Sequence, residues 1–385
     1  MTEKRGGGQA SRGRLRILLA SSSVAALLIG GGAPQAFAQC TIEPGTNQNS
    51  VSNSVAINCI NIQGITVTGN VTNTGSPTAG IITPTGSSAP AQTGITINNA
   101  SIGGAVVNAG QIIATHTTAN GITVTNNATV SGGIANSGTI SSANGNGIFV
   151  GANAPTLDTQ TFAGGISNSG TISATAFNGI RVDGVSGFSG GITNSTIISA
   201  AGFGIFVGTT NAANVGVSTF AGDISNSGTI SGGHEAIFAQ NVSTFAGSIA
   251  NVGTLVGSNG TGVGIAVGPV SMFSGNINNG GVISAGAVGI LVSSVSQFGS
   301  TSEGGGITNS GAISAGNTGI AVQAVQTFFG NISNAGGGTI SAGGAGILVD
   351  ENVKQFVGNI VNMGAITAVS GIVVGCSCGV STFAG

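Results

Sequence analysis

Through most of this chain apolar residues fall at every second position in short runs, and the runs are broken by Asn, Gly and Ser. In 164-GGISNSGTISATAFNGIRV-182, Ile166 and Asn168 share one side with Phe162, followed by Ile172 and then Ile180 with Val182. Period-two alternation of this length, bounded by turn-forming residues, predicts β-strands separated by corners. Past the first 38 residues no stretch keeps a helical period.

The pattern repeats. A motif I-x-N, with Val allowed first, begins at Val71, Val106, Ile134, Ile166, Ile192, Ile224, Ile249, Ile277, Ile307, Ile332 and Ile360. From Val106 onward the steps are 25 to 32 residues. A second motif, G-I-x-V or a close variant, follows each time, as at Gly94, Gly147, Gly179, Gly204, Gly289, Gly319 and Gly346. A third, V-x-x-F, precedes the next I-x-N, from Val185/Phe188 to Val380/Phe383. Three motifs kept in order over so many cycles specify a repeat architecture. Each unit is read as about three short strands. One such unit cannot bury enough apolar surface to offset the ordering of its own backbone, so units must stack. The predicted fold is all-β: a parallel β-solenoid, a right-handed β-helix of about ten to eleven rungs.

Other recurring letters fit the stack. Asn136, Asn168, Asn226, Asn309, Asn334 and Asn362 recur at one corner and are candidates for an amide ladder. A glycine two residues later is expected to supply a positive φ. Asn194 is followed by Ser195-Thr196 instead, which predicts a different corner there. Segments 151–160 and 208–217 read as loops outside the rod.

The first 38 residues differ in kind. Lys4, Arg5, Arg12, Arg14 and Arg16 precede an apolar stretch, Ile17 to Ile29, and a small-x-small site at Ala36-Phe37-Ala38. That is the layout of a secretory signal peptide. Residues 39–60 are read as an N-terminal cap and 61–385 as the repeat region. Export makes disulfides possible for the 4 cysteines. Cys40 with Cys59 is the preferred pairing, among three that the sequence allows. Cys376-Ser377-Cys378 lacks further ligands for a zinc site.

Composition narrows the function. Of 385 residues 72 are Gly, 40% are apolar and only 4% are charged, and Trp and Tyr are absent. Disordered chains combine low hydrophobicity with high charge, the reverse of this balance. Without the leader, Arg181 and Lys354 face Glu43, Asp158, Asp183, Asp223, Glu235, Glu303, Asp350 and Glu351. Two cations against eight carboxylates, a net of −6, offer nothing to a phosphate backbone, so nucleic acid is excluded as a partner.

Catalysis on polysaccharides would need paired carboxylates, or a carboxylate with a metal, on one face. Arg181 and Asp183 are the best local pair, but their counterparts in neighbouring units are Phe149 with Gly151 and Phe206 with Gly208. They are read as a solvated surface pair. Asp223 stands alone among Gly165, Gly191, Ser248 and Asn276. His234-Glu235 interrupts one G-I-x-V strand, and His116 is several units away, too far for shared metal ligation. The run 257-GSNGTGVG-264 lacks the Lys-Ser/Thr of a phosphate loop and reads as a corner. A threonine array of the ice-binding kind starts at Thr66/Thr68, Thr96 and Thr123/Thr125, then stops at Phe149. No catalytic residue, cofactor or metal is expected.

A long leader followed by repeats such as 165-GISNSGTIS-173 and 346-GILV-349 resembles the passenger region of bacterial autotransporters, over about residues 60–385. The resemblance implies a β-helical passenger carried out by an outer-membrane β-barrel translocator, at the cell surface or released, acting as a stalk or adhesin toward host or surface glycans or proteins. A membrane barrel needs ten-residue alternating strands and aromatic girdles, which this sequence lacks, so the barrel is expected in another segment or chain. The alternatives are a polysaccharide-cleaving β-helix enzyme and a released structural or ice-binding solenoid.

Overall fold

The structure, a computed structural model, describes residues 47–75, 81–83, 93–152, 158–211, 216–300, 305–350, 352–375 and 382–384. The proposed leader, Cys40, Cys376 and Cys378 lie outside the described residues.

Each motif becomes a strand, and each strand pairs in parallel with its own copy one unit on. The I-x-N segments form a 12-stranded sheet from Val51–Asn53 to Ile360–Asn362, here the asparagine sheet. The G-I-x-V segments form a second 12-stranded sheet from Ile60–Gln63 to Ser370–Val374, the valine sheet. The V-x-x-F segments make a 9-stranded sheet from Asp158–Phe162 to Thr382–Ala384, the phenylalanine sheet. Between the asparagine and valine strands, the T-I-S run adds a further short strand, and these build an 11-stranded serine sheet. It forms because the chain bends right after each Asn and then runs straight again, as in Thr171–Ala174. Register is kept residue for residue: Ile166 pairs with Ile192 and Asn168 with Asn194, Ile180 with Ile205, Phe188 with Phe220.

Stacking begins one unit before Val71, at Val51-Ser52-Asn53, which itself fits the I-x-N pattern. Val51-Ser52-Asn53, inside the segment read as a cap, is in register with Val71-Thr72-Asn73, and Ile60–Gln63, which starts at the cap's last residue, with Ile95–Asn98. Cys59 stands there where later units have the glycine of G-I-x-V. Likewise Ile237–Gln240 keeps full register with its neighbours, with Ala236 in the glycine place, so His234-Glu235 does not interrupt the sheet.

The interior is dry. In one rung Ile166, Ile172, Ile180, Val182, Val185 and Phe188 are all buried in a single continuous core that runs from Val51 to Phe356. Along the phenylalanine sheet the rings of Phe162, Phe188, Phe220, Phe245, Phe273, Phe298, Phe328, Phe356 and Phe383 stack with centroids 4.6–5.1 Å apart. That spacing is set by the separation of hydrogen-bonded strands, about 4.8 Å, and falls within the range aromatic pairs favour. In the first units this side of the rod is a 3-stranded sheet instead, Thr66–Val67, Ser101–Ile102 and Thr129–Val130, which points Val67, Ile102 and Val130 inward.

Candidate functional site

Two kinds of position carry polar chemistry on this rod: the inner corner after each asparagine strand, and one stretch of the valine sheet's outer face.

At the corner, Asn53, Asn73, Asn108, Asn136, Asn168, Asn194, Asn226, Asn251, Asn279, Asn309, Asn334 and Asn362 form one unbroken ladder. Each donates an Nδ2 hydrogen to the Oδ1 of the next, at 2.7–2.8 Å throughout. Nδ2 also reaches the carbonyl two residues on, as Asn168 does with Gly170 at 3.0 Å and Asn226 with Gly228 at 3.1 Å. A buried amide is tolerated only when its donors and acceptors are met, and here both neighbours meet them. Asn194 keeps its place despite Ser195-Thr196: its amide reaches the Thr196 carbonyl at 3.2 Å, and the Thr196 hydroxyl donates to the Gly170 carbonyl.

The corner glycines serve a different purpose from the one expected. Gly138, Gly170, Gly228, Gly253, Gly281 and Gly311 do not have positive φ. A Cβ on any of them would overlap the carbonyl oxygen of the residue stacked below, for example Gly138 beneath Gly170. Close approach between rungs, not a left-handed backbone, requires glycine there. A second, shorter asparagine stack is invisible in the three motifs. Asn146 Nδ2 donates to Asn120 Oδ1 and Asn178 Nδ2 to Asn146 Oδ1, both at 3.1 Å, and the stack ends where Phe203 N–H caps Asn178 Oδ1 at 3.0 Å.

On the outer face, Arg181 and Asp183 are paired, and the expectation of a solvated pair is overturned. Asp183 has no exposed surface, and the Arg181 side chain is only 15% exposed. Both project outward by strand alternation. Of the segments read as loops, Gly151, Asp158, Gly208 and Val217 lie in strands, so the longer connections of the units on either side are 152–157 and 209–216, whereas the Arg181 unit turns directly through Gly184 to Val185. Thr209, from one insertion, is buried beside the carboxylate. The guanidinium lies 5.6 Å from the Phe149 ring centre and 5.9 Å from Phe206, so rings one rung before and one rung after flank it. Burial pushes the Asp183 carboxyl above the usual carboxylate range; the charge and hydrogen bond of Arg181, the Gly184 N–H and the Thr209 hydroxyl pull the other way.

Beside this pair, Phe203 packs on Phe206, Phe238 and His234 at 4.9, 5.1 and 5.8 Å. His234 is exposed and contacts Asn259 Nδ2 through Nδ1 at 2.8 Å. Burial raises the Glu235 carboxyl, opposed by the nearby His234. Asp223 accepts the Ser248 N–H at 2.7 Å, a bond from one rung to the next. His116 turns back on Thr117. The glycine run at 257–264 is a corner in which Asn259 Oδ1 accepts the N–H of Thr261. Thr96 and Thr123 face outward yet are buried, and Phe149 follows them in register.

No second carboxylate stacks on Asp183: its partner in register is Gly151, and Arg181 sits between phenylalanines. Among the described residues no three His, Cys, Asp or Glu side chains gather as metal ligands. A groove of ≈ 290 Å³ lies elsewhere, lined by Asn241, Ser243, Pro269, Ser271, Ser294 and Ser296, with no acid or base in its wall. Cys59 is disulfide-bonded, its partner lying outside the described residues. No described helix is long and apolar enough to cross a membrane. Comparison with known protein families, with curated proteins and with solved structures finds no match to this chain.

Proposed function

We propose that this chain is an exported, non-catalytic β-solenoid, the passenger of an autotransporter-like protein, which serves as a surface stalk or adhesin. The observation that carries the reading is the stack itself. Twelve-stranded parallel sheets are held in one register by an amide ladder, while Asp183 has Gly151, not a second carboxylate, as its register partner. A rod of this kind holds a surface at a distance, which is a mechanical task. General acid–base chemistry needs two groups within reach of one bond, and Asp183 is engaged by Arg181. The disulfide at Cys59 fits an oxidising compartment. The basic leader, with its apolar stretch and Ala36-Phe37-Ala38, fits export.

The reading is tested by expressing the whole chain in a Gram-negative host, with and without a fused outer-membrane barrel. The expected result is cleavage after Ala38, read by N-terminal sequencing, and protease accessibility on intact cells only for the barrel fusion. An uncleaved chain retained in the cytoplasm would overturn it. Depolymerisation of polysaccharides by the purified chain, abolished in Asp183→Asn, would move the function to the enzyme class.

A further inference from the structure

The four sides of the rod differ on their outer faces. The asparagine sheet shows Ser225, Ala250, Asn278 and Thr308 outward, and the serine sheet mostly Ser and Thr. From Ile237 onward the middle of the valine sheet is apolar on both faces. Its outward positions run, in strict register, Phe238, Ala266, Leu291, Ala321, Leu348 and Val373. Strands that read as continuous apolar runs are those covered on both faces. Among the described residues the large ones are covered only in part, Phe238 by Phe203: Phe238, Leu291, Leu348 and Val373 are half-exposed, while Ala266 and Ala321 are sunk between them. The face is therefore a row of ridges and grooves. The strands Ile237–Gln240, Val263–Val267, Val288–Ser293, Thr318–Gln323, Ala345–Val349 and Ser370–Val374 contain no Asp, Glu, Lys or Arg; Gln240, Ser293 and Gln323 border the apolar row, and Asp350 follows its fifth strand.

We propose that this face is the interface of a homodimer, in which two rods pack antiparallel through their valine sheets. Two arguments select a second copy as the occupant. The ridges repeat with the strand spacing of about 4.8 Å per rung. A helix laid along them, with a pitch of about 5.4 Å, drifts by about 3 Å over five steps, whereas another solenoid face stays in step. The order of large and small residues is also self-complementary. A two-fold axis perpendicular to the rod, passing between Leu291 and Ala321, sets Leu291 of one copy on Ala321 of the other. The same axis sets Leu348 on Ala266 and Phe238 on Val373. Each large side chain meets a smaller one, as an isologous contact requires, and the two sheets pack like the halves of a sandwich.

The test is the mass of the purified full chain by analytical ultracentrifugation over a concentration series. Two copies are expected, falling to one in Ala321→Glu, while Ser314→Glu on the serine sheet leaves the mass unchanged. Circular dichroism checks that both variants stay folded. Because Ala321→Glu acts on the fold's surface, a second measurement stands apart from it. Chains carrying Leu291→Cys are mixed with chains carrying Ala321→Cys under oxidation, and a disulfide joining 291 to 321 between chains is expected. A native chain that stays single at every concentration, a folded Ala321→Glu that stays paired, or a mixture that forms no such disulfide each overturns the proposal.

Discussion

The asparagine corner and the phenylalanine column occupy consecutive stretches of each unit, yet they tolerate variation very differently. The amide ladder starts in the first described unit, at Asn53, and reaches Asn362 without a gap. The ring column starts only at Phe162; before it the same side is filled by Val67, Ile102 and Val130. Hydrophobic contact is non-directional, so a smaller aliphatic can end or begin a column. A hydrogen-bonded ladder has no such freedom. One missing amide leaves a donor on one side and an acceptor on the other, both inside a dry core.

The same replacement at each place separates the two cases. Asn226→Leu takes from the Asn194 amide its shortest acceptor and from Asn251 Oδ1 its donor, while the Gly228 carbonyl keeps the Thr254 N–H. At about 1–3 kcal/mol for each unmet group, it is expected to cost about 3–5 kcal/mol in denaturant unfolding. Gly170→Ala should follow at about 2–3 kcal/mol, because the new Cβ must displace the Gly138 carbonyl and both backbones are fixed by register. Phe245→Leu, in the ring column between Phe220 and Phe273, should cost about 1–2 kcal/mol, an apolar exchange with modest loss of volume. If Phe245→Leu were as damaging as Asn226→Leu, directionality would not be what distinguishes the two edges.

This contrast also explains what the sequence disclosed. Period-two alternation and three ordered motifs suffice for parallel stacking, because a strand that repeats in sequence pairs with itself one rung on. The first unit fits the I-x-N motif at Val51-Ser52-Asn53, and only its valine strand differs in letters, with Cys59 for glycine and Ile62 for valine, both buried. The Asn194 corner looked irregular because glycine was assumed to serve φ. Once the requirement is space beside a carbonyl, Thr196 is intelligible, since its hydroxyl binds the oxygen its neighbours avoid. The burial of Asp183 was not legible. Alternation points it outward, and Thr209, a buried residue of the next unit and distant in sequence, is set beside its carboxylate.

The smallest expected effect concerns that outer face, where polar groups are buried without a ladder to satisfy them. Burial raises the carboxyls of Asp183 and Glu235 above their ordinary values of 3.8 and 4.5. Between each ordinary value and the raised one, the folded chain binds more protons than the unfolded chain. Stability is therefore fully present below the ordinary value, falls as pH rises through the raised one, and is level above it. The ladder asparagines do not titrate, so a pH series of unfolding midpoints isolates the outer face from the inner corner. The slope should shrink in Glu235→Gln, and a further part should vanish in Asp183→Asn, whose Arg181 keeps its place between Phe149 and Phe206. A midpoint that rose with pH over this window would mean that Arg181 outweighs burial and holds Asp183 ionised, which would make the pair resemble an ordinary salt bridge rather than a buried carboxyl.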